Sequence, residues 1–497
     1  MDKQLSHIYN ELDFCICYKT NILKMLLRTF RRYTSINIAV VGSGPAGFYT
    51  TQKLVSRENI NVDIYEKLPV PFGLVRYGVA PDHPEVKNVI KSFTTTAISE
   101  RVNFYGNVSI GDNLRLEDLV EAYHAVVLCY GSSQDKFLNI EGERSKNTIS
   151  ARNFVGWYNG VPEDKDLDID LNCDTVCIVG QGNVALDCAR ILSKPANLEK
   201  TDITNYAQRL ISNSGIKKIV LIGRRGPVQV SFTIKELREL INLNPSGTRL
   251  EPSSIFSDYN VGLRDLMALT RQRRRLAELL LNTSVQGDNP PRDFQGIECK
   301  FKFMSKPHKI LSDENGKVKG LQVLRTKYTN TEDFMNESAH PMDTDDYETI
   351  ETGLIIRSIG YKPLVVDKSL PVDHHRGAIV NTNGRIQGHR SLYCSGWLAT
   401  GAIGVIAGTL NSSLITAKSV LEDIDTKQLP GLGYDKPGFR MISRVLESRS
   451  IQVVHFNDWL KIDSLEKQSG EALGKVREKF VDIHKMLEIA SGKRDNL

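Results

Sequence analysis

The stretch Ile36-Asn37-Ile38-Ala39-Val40-Val41-Gly42-Ser43-Gly44-Pro45-Ala46-Gly47 decides the fold. Its first six residues are mostly β-branched and apolar, as a strand buried on both faces requires, and they run directly into glycines spaced G-x-G-x-x-G. Gly42 permits a tight turn, Gly44 lets backbone N–H groups approach a pyrophosphate, and Gly47, after Ala46, lets the following helix lie close against the strand. Pro45 suits a first helical turn, where its missing N–H is no loss. A second strand-like run, Val62 to Tyr65, ends at Glu66, about 20 residues past the last glycine, where a carboxylate can accept both ribose hydroxyls. Glycine clusters also make ordinary turns. Strand, glycines, helix, strand and acid in this order indicate the adenosine half of FAD or NAD.

A second fingerprint, Gly180-Gln181-Gly182-Asn183-Val184-Ala185, follows the apolar run Thr175 to Val179, and alanine is accepted at its third position. The strand that would carry the acid, Lys218 to Ile222, leads instead into Gly223-Arg224-Arg225-Gly226. Two guanidiniums there suit a ribose 2′-phosphate, which each can bind with bidentate, charge-assisted bonds, whereas a carboxylate would repel it. A surface arginine pair is often merely solvated, but at a strand end after a nucleotide turn the phosphate reading is preferred. The interval to Arg224 exceeds the usual spacing and predicts a longer crossover containing Ser193 to Gly215. Two nucleotides, one of them phosphorylated, imply an NADPH-dependent flavoprotein.

The positions of the fingerprints set the architecture: α/β, with two dinucleotide-binding (Rossmann-like) domains, the NADP domain inserted into the FAD domain. The crossing points are Leu128-Cys129-Tyr130-Gly131 and Arg357-Ser358-Ile359-Gly360-Tyr361, which place the FAD domain at 36–131 and 360–497 and the NADP domain at 132–359. Glu332 to Glu351 is acidic with little apolar pattern and reads as a surface loop or hairpin extension.

The chain has 497 residues and a formal charge of +5, modest enough that local charge matters more than the total. Its eight cysteines include no CxxC and no close quartet, which argues against an iron–sulfur cluster, a metal site or a redox disulfide within the chain. No apolar run approaches the ~18 residues of a membrane span. Residues 1–35 read as a leader. From Met25 to Ser35 it is rich in arginine, hydroxyl and leucine without an acid, as in a mitochondrial transit peptide. Asp2, Glu11 and Asp13 upstream are foreign to such a signal, so Met25 is expected to be the working start.

Further motifs carry a resemblance. They are Glu66-Lys67-Leu68-Pro69-Val70-Pro71-Phe72-Gly73-Leu74-Val75-Arg76-Tyr77-Gly78-Val79-Ala80-Pro81-Asp82-His83-Pro84, Ser150 to Gly160, Gly180 to Asp187, Gly223 to Leu240, Tyr393-Cys394-Ser395-Gly396-Trp397, Asp458-Trp459 and Gly474 to Lys479. Together they resemble the mitochondrial NADPH:adrenodoxin oxidoreductase family, the ferredoxin–NADP reductases of adrenodoxin reductase type, over nearly all of the chain beyond the leader.

The resemblance implies that hydride from NADPH reaches FAD and that single electrons pass to an adrenodoxin-like [2Fe–2S] ferredoxin. It implies a monomer in the mitochondrial matrix with at most peripheral contact with the inner membrane. Leu74, Ile110, Trp397, Gly404, Val405 and Ile406 match flavin contacts; Glu236 and, again, Gly404 match NADP contacts. A helix opening after Gly404 would aim its positive end at the flavin. His83 and Asp187 match a pair nominated for orientation and proton transfer, with a structural hydrogen bond at the domain junction as the equal alternative. Arg238 matches a basic docking position. It joins Arg271 and Arg275, which lie one turn apart on a helix expected over Arg264 to Leu281. The family often has Lys-Arg where this chain has Ala399-Thr400 and Pro-Thr where it has Ala402-Ile403, which puts a side-chain charge there in doubt. Without aromatic interleaving, nucleic acid is a poor partner for the basic patch. Alternatives are a flavoprotein like the glutamate synthase small subunit, whose N-terminal cysteine clusters are absent here, a non-catalytic NADPH-sensing flavoprotein, and a flavin monooxygenase.

Overall fold

Ile38, Val40, Val62, Ile64, Val126 and Val127 are fully shielded from solvent, because the strands that carry them lie inside a sheet covered on both faces. The structure, a computed structural model, describes residues 35–402, 404 and 406–492. The leader with Met25, and Val405, lie outside the described residues.

The chain forms an eight-stranded sheet whose order is 381–382, 385–386, Leu392–Cys394, Ala125–Leu128, Ile36–Val41, Ile60–Tyr65, Val102–Gly106 and 454–455. From Leu392–Cys394 through Val102–Gly106 the neighbours are parallel. Ile36–Val41 lies between Ile60–Tyr65 and Ala125–Leu128, so the winding reverses beside it and the Gly42 turn opens at the switch point where such sheets bind ligands.

A second sheet of six strands has the order Thr148–Ser150, Leu354–Arg357, Thr175–Val179, Lys218–Ile222, Glu298–Lys302 and Thr248–Glu251. All its pairings are parallel. Its strands fall wholly between Ala125–Leu128 and Leu392–Cys394 of the first sheet, so one dinucleotide fold is inserted into the other. The outgoing and returning segments are tied together, for Gln134–Asp135 pairs antiparallel with Tyr361–Lys362.

Three expectations are refined. The crossover after the second fingerprint contains a helix, Asn205–Ser212. The basic segment is two helices, a 3₁₀ turn at Asp265–Ala268 and an α-helix at Arg271–Ser284, because Leu269 and Thr270 are extended and Thr270 caps the second by accepting from the Arg273 N–H. The acidic stretch ends as a strand, Met342–Glu351, the outer member of a three-stranded antiparallel sheet. Its acids face outward at a sheet edge, and Lys306 and Arg325 pair with Asp343 and Asp346.

The C-terminal segment fastens the two units. Glu466 on the helix Phe456–Ala472 is fully buried and accepts from Arg76 at 2.5 Å, from Arg477 at 2.6 Å and from the Phe480 N–H at 3.0 Å. The Arg76 guanidinium also lies 5.0 Å over the Trp459 ring. Further along, Lys479 and Lys87 converge on Asp202 of the inserted unit at 3.0 and 2.6 Å. Burial outweighs the pull of Asp202 and brings the Lys479 ammonium down to about 7. Burial opposes ionisation of Asp202 as well, yet Lys479 and Lys87 together hold its carboxyl well below the usual range.

This arrangement gives opposite expectations for its members. Asp202→Asn removes the carboxylate on which Lys87 and Lys479 converge and should destabilise by about 3–5 kcal/mol, whereas Lys479→Met, which leaves Lys87 paired with Asp202, should cost far less. An unfolded lysine titrates near ~10.4, so between about 7 and that value the unfolded chain holds a proton that the folded protein has shed. Stability from this group therefore rises with pH above about 7 and is lost as pH falls through it. Melting temperatures measured across pH 6–10 should show that slope in the parent protein and a flatter one in Lys479→Met.

Candidate functional site

The two glycine turns have the geometry their spacing promises. Gly42 has φ +103°, and a Cβ on it would come within 2.7 Å of the Cys129 carbonyl oxygen. A Cβ on Gly47 would fall 2.0 Å from the Gly42 carbonyl oxygen, so helix Pro45–Leu54 can approach the strand only through a glycine. Gly180 repeats the first case, at φ +128° and 2.1 Å from the Ser358 carbonyl oxygen. Gly44 differs, with nothing nearer than the Gly73 Cα at 4.0 Å, and Gly182 has open space.

Both helices start on a glycine that offers no side-chain cap. The first N–H groups of Pro45–Leu54 and Asn183–Leu192 are therefore left for an anion. These cradles fit the pyrophosphates of two dinucleotides.

The polar groups around the two turns differ. Glu66 sits beside the first turn and accepts from the Ser43 N–H at 3.0 Å, from the Ser43 hydroxyl at 2.7 Å and from the Leu68 N–H at 3.2 Å. At the second turn, Gln181 donates to the Leu221 carbonyl, and Asn183 accepts from the Thr233 N–H, which holds the helix Ile234–Leu243 against the turn. Val184 is half-buried and Ala185 fully buried. Arg224 is exposed and Arg225 half-buried, and among the described residues neither has an ion pair. Burial, with Arg224 and Arg273 adding like charge, lowers the Arg225 guanidinium, so an anion there would be favoured. Glu236 has a buried carboxylate oxygen, Oε2, without a partner.

At the junction between the sheets, Trp397 stacks on Tyr361 with centroids 6.1 Å apart, and Tyr361 begins the return to the first unit. Gly404 is exposed at φ +86° with open space around it, and Ile406 starts a helix running to Asp425. Leu74, on the short helix Gly73–Tyr77, is 45% exposed, whereas Ile110 is buried against Leu114 in the core.

His83 and Asp187 share this junction, although a third residue joins them. Arg190, on the same helix as Asp187, donates to Asp187 at 2.7 Å and to both oxygens of Asp82 at 2.5 and 3.1 Å. Its Nη2 also lies 3.4 Å from Nδ1 of His83, whose Nε2 is 2.8 Å from Glu239 Oε2. Burial raises the Asp187 carboxyl above its usual range although Arg190 opposes the shift. Arg190, Glu239 and Tyr361 were missed as site residues. A signal existed for one of them: Arg190 is a charge at i+3 from Asp187 on a helix otherwise apolar through Leu192.

Arg238, Arg271 and Arg275 are all exposed and unpaired among the described residues. The intervening Arg273 is spent internally on Glu337 and the Val230 carbonyl. Burial pushes the Cys173 and Cys299 thiols up to about 11 and Cys177 and Cys394 to about 12, so these thiols stay protonated. Among the described residues no histidine, cysteine and carboxylate cluster could hold a metal ion, and no helix is long and apolar enough to cross a membrane.

Residues 36–227 match the pyridine nucleotide-disulphide oxidoreductase family. The chain is 46% identical to the mitochondrial NADPH:adrenodoxin oxidoreductase of Homo sapiens, covering 91% of each chain. It is 42% identical to the protein of that name from Drosophila melanogaster, over 91% of this chain and 93% of that one. The solved structure of Mycobacterium tuberculosis FprA in complex with NADPH superposes with a TM-score of 0.83 at 32% identity, over 92% of this chain and 100% of that one.

The glycines can be separated by experiment. Gly47→Ala forces the helix off the strand and should yield a protein of reduced stability that retains no dinucleotide at the first turn. Gly44→Ala meets only the Gly73 Cα, at an ordinary van der Waals distance of 4.0 Å, so its melting temperature without ligand should match the parent while its dinucleotide content falls. Content after purification, read from absorbance, and melting of the stripped proteins check both.

Proposed function

The chain belongs to the mitochondrial NADPH:adrenodoxin oxidoreductase family, and from that membership we propose that it reduces an adrenodoxin-like [2Fe–2S] ferredoxin with electrons from NADPH, using FAD. FAD supplies the two-electron to one-electron conversion, accepting hydride and giving up electrons singly. The chain's own residues bind, orient and move protons. The observation that carries the reading is the convergence of two open glycine turns, one beside Glu66 and one beside the unpaired Arg224 and Arg225, on the junction where Trp397 meets Tyr361.

In this reading Gly42, Gly44, Ala46, Gly47 and Glu66 hold the adenosine side of FAD, and Leu74, Ile110, Trp397, Gly404, Val405 and Ile406 flank its ring. Gly180 to Ala185, Glu236 and Gly404 hold NADPH, with its 2′-phosphate on Arg224 and Arg225. His83, with Asp187 beside it, handles the proton that must leave as electrons depart. Residues 36–131 and 360–497 form the FAD domain and 132–359 the NADP domain. Arg238, Arg271 and Arg275 form the ferredoxin docking face, whose free charges favour an acidic partner. The protein works as a monomer in the mitochondrial matrix, with at most peripheral contact with the inner membrane.

NADPH-driven cytochrome c reduction, with and without an adrenodoxin-type ferredoxin, tests this. Strong ferredoxin dependence that weakens with salt is expected, and flavin bleaching by NADPH without ferredoxin dependence would sink the acceptor assignment. Replacing Arg271 and Arg275 by Gln should raise the KM for ferredoxin about tenfold or more at low salt and flatten the salt dependence, with NADPH-driven ferricyanide reduction unchanged. Replacing Arg224 and Arg225 by Gln should raise the KM for NADPH about 10- to 100-fold and leave the KM for NADH almost unaltered, because only the 2′-phosphate loses its partners.

A further inference from the structure

The turn that carries the arginine pair is held from outside its own sheet. Lys218–Ile222 ends before Gly223, and beyond that point three consecutive carbonyls find donors on or beside the antiparallel extension of the inserted unit, whose strands are Ser305–Ser312, Val318–Lys327 and Met342–Glu351. The Gly223 carbonyl accepts from the Ser305 N–H at 2.9 Å, the Arg224 carbonyl from the Thr326 hydroxyl at 3.0 Å, and the Arg225 carbonyl from the Met304 N–H at 3.2 Å. The Gly226 N–H then donates to the Tyr328 hydroxyl at 3.5 Å.

Thr326 and Tyr328 are buried and themselves fixed. The Thr326 N–H donates to the Met304 carbonyl at 2.8 Å. The Tyr328 N–H donates to the Tyr259 hydroxyl at 2.9 Å, and its ring meets those of Tyr259 and Phe334 edge-on, with centroids 6.1 and 5.9 Å away. Both ends of the turn are closely packed: a Cβ on Gly223 would fall 2.2 Å from Gln181 Oε1, and one on Gly226 would fall 3.3 Å from the Tyr328 and Phe334 rings. The turn is therefore clamped between the second glycine fingerprint and an aromatic group. On the adjoining strands Lys302 is paired with Glu251 and Glu348, Lys306 with Asp343, and Arg325 with Asp346 and Glu348, whereas Arg224 and Arg225 have no ion pair among the described residues.

Two long side chains bind one phosphate well only if their backbone already offers both of them, because order present before binding is not lost on binding. The flanking glycines supply no stiffness of their own. We propose that Thr326 and Tyr328 are positioning residues that hold the Arg224-Arg225 backbone for a ribose 2′-phosphate, so that the antiparallel extension, and not the dinucleotide fold alone, sets the preference for a phosphorylated nicotinamide dinucleotide. The proposal rests on the reading of the arginine pair as the 2′-phosphate site. Of the four contacts that the extension makes to the turn, these two come from side chains, so substitution can remove them and leave the backbone donors in place.

The test titrates the FAD-loaded protein calorimetrically with adenosine 2′,5′-bisphosphate, and measures KM and kcat for NADPH and NADH in ferricyanide reduction. Thr326→Val keeps the branched shape and removes the hydroxyl; it should weaken bisphosphate binding about three- to tenfold and raise the KM for NADPH by the same factor, with kcat and the KM for NADH unchanged. Thr326→Ser should restore the parent values. Tyr328→Phe should act in the same direction by about twofold, since its contact is longer, and it carries the test should Thr326→Val not fold. Unchanged bisphosphate affinity in Thr326→Val overturns the proposal, and so does a KM for NADH that rises in step with that for NADPH, which would mark a general structural role. Replacing Arg224 and Arg225 together by Gln separates the two readings: bisphosphate affinity lost there but kept in Thr326→Val removes the positioning role alone, and affinity kept in both removes the phosphate site as well.

Discussion

Buried charge pairs link the two sheets. The largest apolar cluster, from Ile149 to Ile356, is built from the inserted unit, and the clusters around Val40 and Leu128 belong to the first. Beside the packing of Val161 against the first unit's core, polar contacts cross between them: Arg190 to Asp82, Lys87 and Lys479 to Asp202, and Glu478 to the Asn205 N–H. Such contacts are directional and weak in net stability, so they specify one relative placement without fusing two cores into one. A dinucleotide held on each sheet needs that placement, since chemistry depends on two rings meeting within a fraction of an ångström.

The fold was legible because its strongest determinants are local. Thr175–Val179 and Lys218–Ile222 are strands to the residue, and the steric demands at Gly42, Gly47 and Gly180 are consequences of a turn of a few residues. The breaks were harder to read. The helical pattern across Arg264 to Leu281 hides the extended pair Leu269 and Thr270, because the apolar spacing continues through them while the backbone does not. The strand at Met342–Glu351 was obscured by its exposure: an edge strand with acids on its open side has no alternating apolar face to announce it.

The candidate site was legible only in part, for a related reason. A motif shows which residues are near in sequence, and the junction is made by residues far apart in it. Asp82 and Arg190 are separated by 108 positions, and His83 and Glu239 come from different units. Nothing in either local stretch announces the partner. The Trp397 and Tyr361 stack is of the same kind, visible only once Gln134–Asp135 and Tyr361–Lys362 pair and bring the return segment to the ring.

Arginine makes the general point, because one side chain serves three kinds of physics here. Arg271 and Arg275 are exposed and unpaired, so their field extends into solvent, is screened by salt and acts on encounter. Arg225 is half-buried and unpaired, which depresses its guanidinium and leaves a site whose missing half is an anion. Arg76 and Arg190 are buried and paired, Arg76 with Glu466 and Arg190 with Asp82 and Asp187, and these carboxylates raise them, so they are permanently charged and act only on their neighbours. Residue type cannot separate these roles, and neither can net charge. Burial together with the identity of the partner does: Arg271 and Arg275 can act on a partner in solution, Arg225 on a bound anion, and Arg190 only on the carboxylates that surround it.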